Sequence, residues 1–300
     1  MRSDLPRRIL ILLHARDRLA KRRAYQIWGI ADVWRSWGIE VLVQRGIDRF
    51  VDADVIVNHL DLTIVPPLYL RHMERYAVAI NGRSRDISKR IVSRNLVHRN
   101  QRWDGPVILK TDRNYGGEPE RRLLLPNRAR VRDALRRRLS RHPWRIRQSL
   151  PSSDYLILDS VSAVPEDVWD NPYLVVERFL PEREGALYVL RTLTFFGDRW
   201  ICRRITSASP VVKSGNAVHA GEIEPHPEAF ATARRFGLDR GKVDYVLHDG
   251  EAVILDVNRT NTMGRSMTRE RQRRTFERLA PGLRSFWPPG RPSPRGDARR

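Results

Sequence analysis

Cysteine occurs once, at Cys202, so the chain forms no internal disulfide, a pattern that fits a reducing compartment. No stretch approaches the eighteen or more apolar residues of a membrane-spanning helix. Arg7-Arg8 followed by Ile9 to Leu13 is too short an apolar run for a secretory signal. Arg16 and Asp17 stand where a small-residue cleavage site would lie. The expectation is a cytoplasmic protein with no membrane partner. No G-x-G-x-x-G follows the first apolar run, so no dinucleotide site is expected there. The pattern G-x-x-x-x-G-K-[ST] is also missing, which excludes a P-loop. There is no internal repeat and no RNA or DNA module motif. Lysine is scarce: it stands only at positions 21, 89, 110, 213 and 242, and arginine supplies the rest of the 56 basic residues.

What is present is a globular chain of 300 residues with 41% hydrophobic content, enough for one large domain or two to three lobes. The formal net charge is +21. One reading is a polyanion partner such as nucleic acid; the other is an arginine-rich composition whose charges are simply solvated. The basic residues are spread along the chain, which favours the second. Arg128 to Arg147 is very basic, with Val131, Ala134, Leu135 and Leu139 at helical spacing. Such a helix can bind nucleic acid, but more often it presents a solvated face. Because arginine is the default cation, a lysine inside an apolar strand marks a specific chemical need.

The first part alternates strands and helices. Arg8 to His14 is a continuous apolar run, as in a strand buried on both faces. Ala24 to Trp37 has helical spacing and stops at Gly38. Strands are expected at Ile39 to Val43, Asp54 to Asn58 and Val78 to Asn81, with a helix from Pro66-Pro67 through Tyr76. This β-α-β order predicts a parallel sheet flanked by helices. Further strands are expected at Val107 to Lys110, Tyr155 to Leu158 and Tyr173 to Val176. Two hairpins follow, turning at Gly197-Asp198 and at His248-Asp249-Gly250, with a helix from Pro227 to Phe236 between them. Proline, glycine, arginine and serine dominate from Pro288 to Arg300, so a disordered tail is expected.

Three stretches carry chemistry. In the last hairpin, Asp256 and Asn258 are two apart on a strand and share a face, and a turn near Asp249-Gly250 puts Asp244 opposite the region of Asp256. Two carboxylates and an amide suit magnesium, which takes hard oxygen ligands and completes its shell with water and phosphates. The plain alternative is a hairpin with polar ends. Second, Lys110 ends an apolar strand and precedes a loop with Gly116-Gly117, offering a point charge and backbone N–H groups to phosphates. Third, Leu174 to Glu177 is an apolar strand that ends at an acid and runs into a polar loop. Arg203, Arg204, Lys213, Asn216 and His219 can face an acidic substrate group or be solvated loop residues.

In this order, the three pieces resemble the ATP-grasp superfamily from about Ser88 to Gly264. The resemblance implies an α/β chain with α+β lobes. A Rossmann-like pre-ATP-grasp domain would span 1–87, a first lobe with a glycine-loop lid 88–182, and a second lobe with the metal site 183–287. The tail would be 288–300. It implies that Lys89 and Lys110 hold ATP phosphates and that Asn114, Gly116 and Gly117 close over them. Glu177, Phe179 and Leu180 would meet the adenine, and Glu184 the ribose. Asp244, Asp256 and Asn258 would hold Mg²⁺, with Asp256 standing where the family has glutamate. Arg191, with Arg203 or Arg204, would stabilise the transferred phosphoryl group. The implied activity joins a carboxylate to an amine or thiol through an acyl phosphate, on a small-molecule or peptide substrate. The alternatives are a small-molecule kinase and a basic nucleic-acid-binding protein.

Overall fold

In the computed structural model, which describes residues 5–18, 25–126, 128–129, 144–264 and 267–287, the first apolar run is strand β1, Arg8–Leu13. It is followed by α1 (Gln26–Ser36), β2 (Glu40–Arg45), β3 (Val55–Asn58), α2 (Pro67–Met73) and β4 (Val78–Ile80). The strands form a parallel sheet in the order β2-β1-β3-β4. Ile9, Ile11 and Leu13 pack beneath Ile27, Ile30 and Trp34 of α1, while Leu10 and Leu12 pack on Leu60, Tyr69 and Met73. Both faces of β1 are therefore dry, which is why its sequence does not alternate. Each of these buried side chains contributes roughly 1.5–3 kcal/mol.

The next sheet is antiparallel. After the short helix α3 (Lys89–Val92) come β5 (Val107–Thr111), α4 (Glu118–Leu124), β6 (Leu156–Leu158), α5 (Glu166–Trp169) and β7 (Leu174–Arg178), with strand order β6-β5-β7. Val107, Leu109, Leu174 and Val176 point into one core with Val164 and Val168. By the two-residue period, Ile108, Lys110, Val175 and Glu177 share the other face.

The third sheet holds β8 (Glu182–Glu184), β9 (Leu187–Phe196), β10 (Arg199–Ser207), β11 (His219–Glu222), β12 (Arg240–His248) and β13 (Glu251–Asn258). Its order is β11-β10-β9-β12-β13, with β8 paired to β9. Helix α6 (Pro227–Arg235) lays Ala229 and Ala233 against Leu193, Phe195, Val243 and Tyr245, covering one face. The opposite face is left for the site. The turn at Asp249-Gly250, both with positive φ, sets the register as far as Tyr245 opposite Ile254, and a bulge beyond it brings Asp256 opposite Asp244.

Strands β8 and β11 and a final helix, α7 (Arg269–Leu279), were not expected. Helix α7 is almost entirely charged, so its sequence carries a weak helical pattern; Thr268 caps it by accepting from the Arg271 N–H. Its few apolar residues are well used. Leu279 and the following Leu283 and Trp287 enter the core beneath α1, and the Trp34 indole donates to the Ala280 carbonyl at 3.1 Å. Gly29 of α1 permits this approach, since a Cβ there would meet the Phe276 ring at 2.1 Å. The core of the first sheet therefore includes Leu279, Ala280, Leu283 and Trp287, across the lobe boundaries the sequence implied. Most of the Arg128 to Arg147 segment, positions 130–143, lies outside the described residues, as do Lys21 and the Pro288 to Arg300 tail. No helix among the described residues is long and apolar enough to cross a membrane.

Candidate functional site

A cleft of about 430 Å³ runs between the β6-β5-β7 sheet and the exposed face of the third sheet. All four described lysines, Lys89, Lys110, Lys213 and Lys242, line it. A residue type used only five times in 300 is concentrated in one cavity.

The floor follows from strand register. Arg203 pairs with Thr192, Thr192 with Asp244, and Asp244 with Asp256, so one row of side chains crosses β10, β9, β12 and β13 on the cleft face. The adjacent row is Ile201, Thr194, Lys242 and Asn258. A bulge after Asp244 pairs Tyr245 with Ile254 and leaves Leu255 as an extra residue on β13. Ile254 then enters the core beneath the sheet, and Leu255 joins Asp256 in lining the cleft. Leu255 and Val246 face Ile108, Phe179 and Leu180 across the cleft, an apolar slot beside the polar rows.

Each acidic group on this floor holds a lysine. Lys242 Nζ donates to Asp244 Oδ2 at 2.6 Å, and the Thr192 hydroxyl to Asp244 Oδ1 at 2.8 Å. Lys89 Nζ donates to Asp256 Oδ1 at 3.1 Å, and the Asn258 amide to Asp256 Oδ2 at 2.7 Å. Burial opposes charge on Asp256, but Lys89 and Lys242 outweigh it and hold the carboxyl below its ordinary 3.8. Burial likewise opposes charge on Lys89 and Lys242. Asp256 beside the first and Asp244 beside the second reverse that, and both ammonium groups are held charged above their ordinary range.

On the facing sheet, Lys110 Nζ donates to Glu177 Oε2 at 2.6 Å, with both side chains buried. Glu177 thus supports Lys110 from beneath and does not line the cleft, contrary to the adenine-contacting role expected for it. Phe179 and Leu180, just after β7, do line it. The loop at Asn114 to Gly117 also differs from a free lid. The Asn114 side chain accepts from Lys89 at 3.3 Å and donates to the Val257 carbonyl at 2.7 Å, joining two lobes under the cleft. Tyr115, Gly116 and Gly117 all have positive φ. A Cβ on Gly116 would lie 2.6 Å from the Leu150 carbonyl oxygen and one on Gly117 2.7 Å from that of Gln148, so the loop is clamped under 148–151. Gly116 lines the cleft; Asn114 and Gly117 lie behind it.

Two of the three expected arginines are on the wrong face. Arg203 lines the cleft, and its sequence neighbour Arg204 must therefore point to the other side. Arg204 pairs there with Glu184, on the sheet edge, so neither takes part in the cleft. Arg191 is opposite Arg204 in register and shares its face. Its guanidinium grips Glu182 through contacts of 2.8–3.1 Å, and Glu182 also accepts from the Leu247 N–H, tying β8 to β12. Of the loop residues weighed for substrate, Lys213 lines the cleft and Asn216 and His219 do not.

Sequence reasoning missed Lys242, Thr192 and Asn261, all in the cleft wall. The scarcity of lysine was a signal for the first. Thr192 and Asn261 carry no such mark, because only register and packing bring them to the cleft.

Asp244, Asp256 and Asn258 supply only hard oxygens on one face, which fits Mg²⁺. Among the described residues no cluster of three or more His, Cys, Asp or Glu forms a metal cage.

No family model matches the chain, and no curated protein matches it. Solved structures are similar over nearly its whole length. A D-alanine–D-alanine ligase from Bacillus anthracis is 11% identical, with 94% of this chain and 95% of that one covered and a TM-score of 0.48. An ATP-grasp RimK domain protein from Sphaerobacter thermophilus is 12% identical over 93% and 99%, with a TM-score of 0.46. A RiPP-associated ATP-grasp ligase from Chryseobacterium gregarium, in complex with ADP and a leader and core peptide, is 9% identical over 92% and 96%, with a TM-score of 0.48.

Proposed function

We propose that the chain is an ATP- and magnesium-dependent ligase that joins a carboxylate to an amine or thiol through an acyl phosphate. It would have a pre-ATP-grasp domain at 1–87 and two ATP-grasp lobes at 88–182 and 183–287. The observation that carries the reading is the cleft itself, in which three lysine–carboxylate pairs stand beside an apolar slot. Ile108, Phe179, Leu180, Val246 and Leu255 would sandwich the adenine. Lys89 and Lys242 would turn from their carboxylates to the phosphates, and Lys110, kept on buried Glu177, would reach them from the facing sheet. A lysine is suited to this exchange, because its ammonium is a point charge on a flexible stem. Asp244, Asp256 and Asn258, released from those lysines, would hold Mg²⁺, which supplies charge neutralisation at the phosphates.

Chemistry then follows from placement. A substrate carboxylate oxygen attacks the γ-phosphorus, the bond to the β–γ bridging oxygen breaks, and ADP leaves with that electron pair. An amine or thiol next adds to the acyl phosphate carbonyl, and inorganic phosphate departs as the nucleophile loses its proton. Lys89, Lys110 and Lys242 would stabilise the charge on the transferring group. Arg203 is two inter-strand steps of roughly 4.8 Å each from Asp244, so the acyl end of the site would lie over β9 and β10.

The first test is thermal unfolding with and without Mg-ATP, which should raise Tm if the nucleotide binds only the folded chain. The decisive one measures ADP and inorganic phosphate across candidate acids and amines. Free phosphate with a ligated product supports the ligase, and a phosphorylated product without free phosphate would make it a kinase instead. Magnesium-dependent ADP release that persists in both Asp244→Ala and Asp256→Ala would sink the reading.

A further inference from the structure

Each carboxylate on the cleft floor is held at both oxygens, by two kinds of donor. Asp244 has the Thr192 hydroxyl on Oδ1 at 2.8 Å and the Lys242 ammonium on Oδ2 at 2.6 Å. Asp256 has the Asn258 amide on Oδ2 at 2.7 Å and the Lys89 ammonium on Oδ1 at 3.1 Å. The neutral donors are short side chains that the sheet itself places: Thr192 is the cross-strand neighbour of Asp244, and Asn258 is two along β13 from Asp256. The other two are cations on flexible stems. One oxygen of each carboxylate is therefore fixed, and the other is filled by a group that can leave. Burial opposes charge on both lysines, but the carboxylates outweigh it, so neither lysine vacates its oxygen by losing a proton. A competing anion is what draws it off.

Resting on the ligase reading, we infer that Lys89 and Lys242 are tethered stand-ins for the divalent ion, closing its seats in the empty chain and opening them only when a polyphosphate takes both ammonium groups. An ion arriving alone contests Asp244 Oδ2 and Asp256 Oδ1 with cations already in place. It would leave those ammonium groups beside it without an anion, and an unpaired charge in a buried setting is strongly unfavourable. A triphosphate removes that obstacle by giving both lysines a new partner. Metal and nucleotide therefore promote each other's binding, and linkage makes the promotion equal in the two directions. When the phosphates leave, the lysines return to their carboxylates and displace the ion, which resets the floor. Thr192 and Asn258 keep the carboxylates turned the same way throughout.

The probe is Mn²⁺, which suits the same hard-oxygen ligands. It is titrated into the full chain without nucleotide, and the paramagnetic resonance signal of the free ion is followed. The wild type should bind it weakly. Lys242→Met and Lys89→Met should each bind it roughly 10-fold tighter or more, within the usual range of a coupling between sites. Lys242→Arg keeps a cation on Asp244 and should stay with the wild type. Two controls separate an occupied seat from general repulsion. Lys213→Met removes a cleft lysine that holds no carboxylate among the described residues, and Thr192→Val frees the other oxygen of Asp244. Neither should gain more than about 3-fold, the scale of a solvated charge effect. Mn²⁺ should also raise the Tm of the two lysine-to-methionine variants and leave that of the wild type, which shows that the ion meets a folded chain. A wild type that binds Mn²⁺ as tightly as those variants overturns the inference and leaves the nucleotide site standing. So does a gain in Lys213→Met that equals theirs. A wild-type chain that fails to bind a non-hydrolysable ATP analogue at saturating Mg²⁺ overturns the ligase reading itself.

Discussion

The ion pairs on the cleft floor and those behind β9 and β10 use different cations. Facing the cleft, lysines hold carboxylates: Lys242 with Asp244 and Lys89 with Asp256. On the far face, arginines do: Arg191 with Glu182 and Arg204 with Glu184. The guanidinium of Arg191 reaches both oxygens of Glu182 and fixes a geometry, while each lysine makes a single contact to its carboxylate. A rigid fork is suited to locking strands, and a point charge on a flexible chain is suited to exchanging one anion for another. In a chain that uses arginine almost everywhere else, the proposed function gives this placement a reason: the lysines on the cleft floor would be the groups that exchange partners, and the arginines behind it the groups that stay.

The largest expected effect tests whether a cleft lysine is also structural. Lys110→Met leaves Glu177 buried and unpaired, so stability in urea should fall by about 3–5 kcal/mol. Adding Glu177→Leu should recover most of it, because the stranded charge is then gone; a double variant no more stable than the single would show that the pair is not the cause.

Next in size, Asp244→Asn should lower magnesium-dependent ADP formation at least about 100-fold, as loss of several kcal/mol of charge stabilisation implies. Its Tm should change little. A large fall in Tm with activity kept would place Asp244 with the structural pairs.

On the far face the pattern should invert. Arg191→Met should cost about 1.5–3 kcal/mol of stability and leave ADP formation per folded molecule unchanged. Arg204→Ala, whose pair is largely exposed, should cost under about 1 kcal/mol. Loss of turnover in a folded Arg191→Met chain would return that residue to the chemistry.

The smallest effect is acid sensitivity. The Asp256 carboxyl is held below its ordinary 3.8, so it adds stability that is fully present above that value and is lost as pH falls through the lower, folded one. Denaturation midpoints followed below about pH 5 should therefore decline more steeply in the wild type than in Asp256→Asn.

Parts of this were legible residue by residue. Ile9 to Leu13 announced a strand dry on both faces because nothing in it was polar. The hairpin was readable from the turn at Asp249-Gly250, but that turn alone would pair Asp244 with Leu255; the bulge that brings Asp256 opposite Asp244 carried no mark in the sequence. Arg203 and Arg204 show the limit. Their adjacency said that only one could face a given side, but not which, and Arg191 could be assigned only through its pairing with Arg204. Helix α7 hid in a charged stretch, since its two buried residues, Thr275 and Leu279, are too few to mark a period.

The sequence by itself determined most of the strands, the two hairpin turns, and which rare residue type would matter, because periodicity and backbone geometry act over a few neighbours, while β8 and β11 carried no such pattern. Only the tertiary structure decided which arginine enters the cleft, that Glu177 serves Lys110, and that Asn261 meets the cleft without a partner. Those depend on which strands lie side by side and which face another lobe covers, and such contacts join residues far apart in the chain through packing that no local pattern encodes.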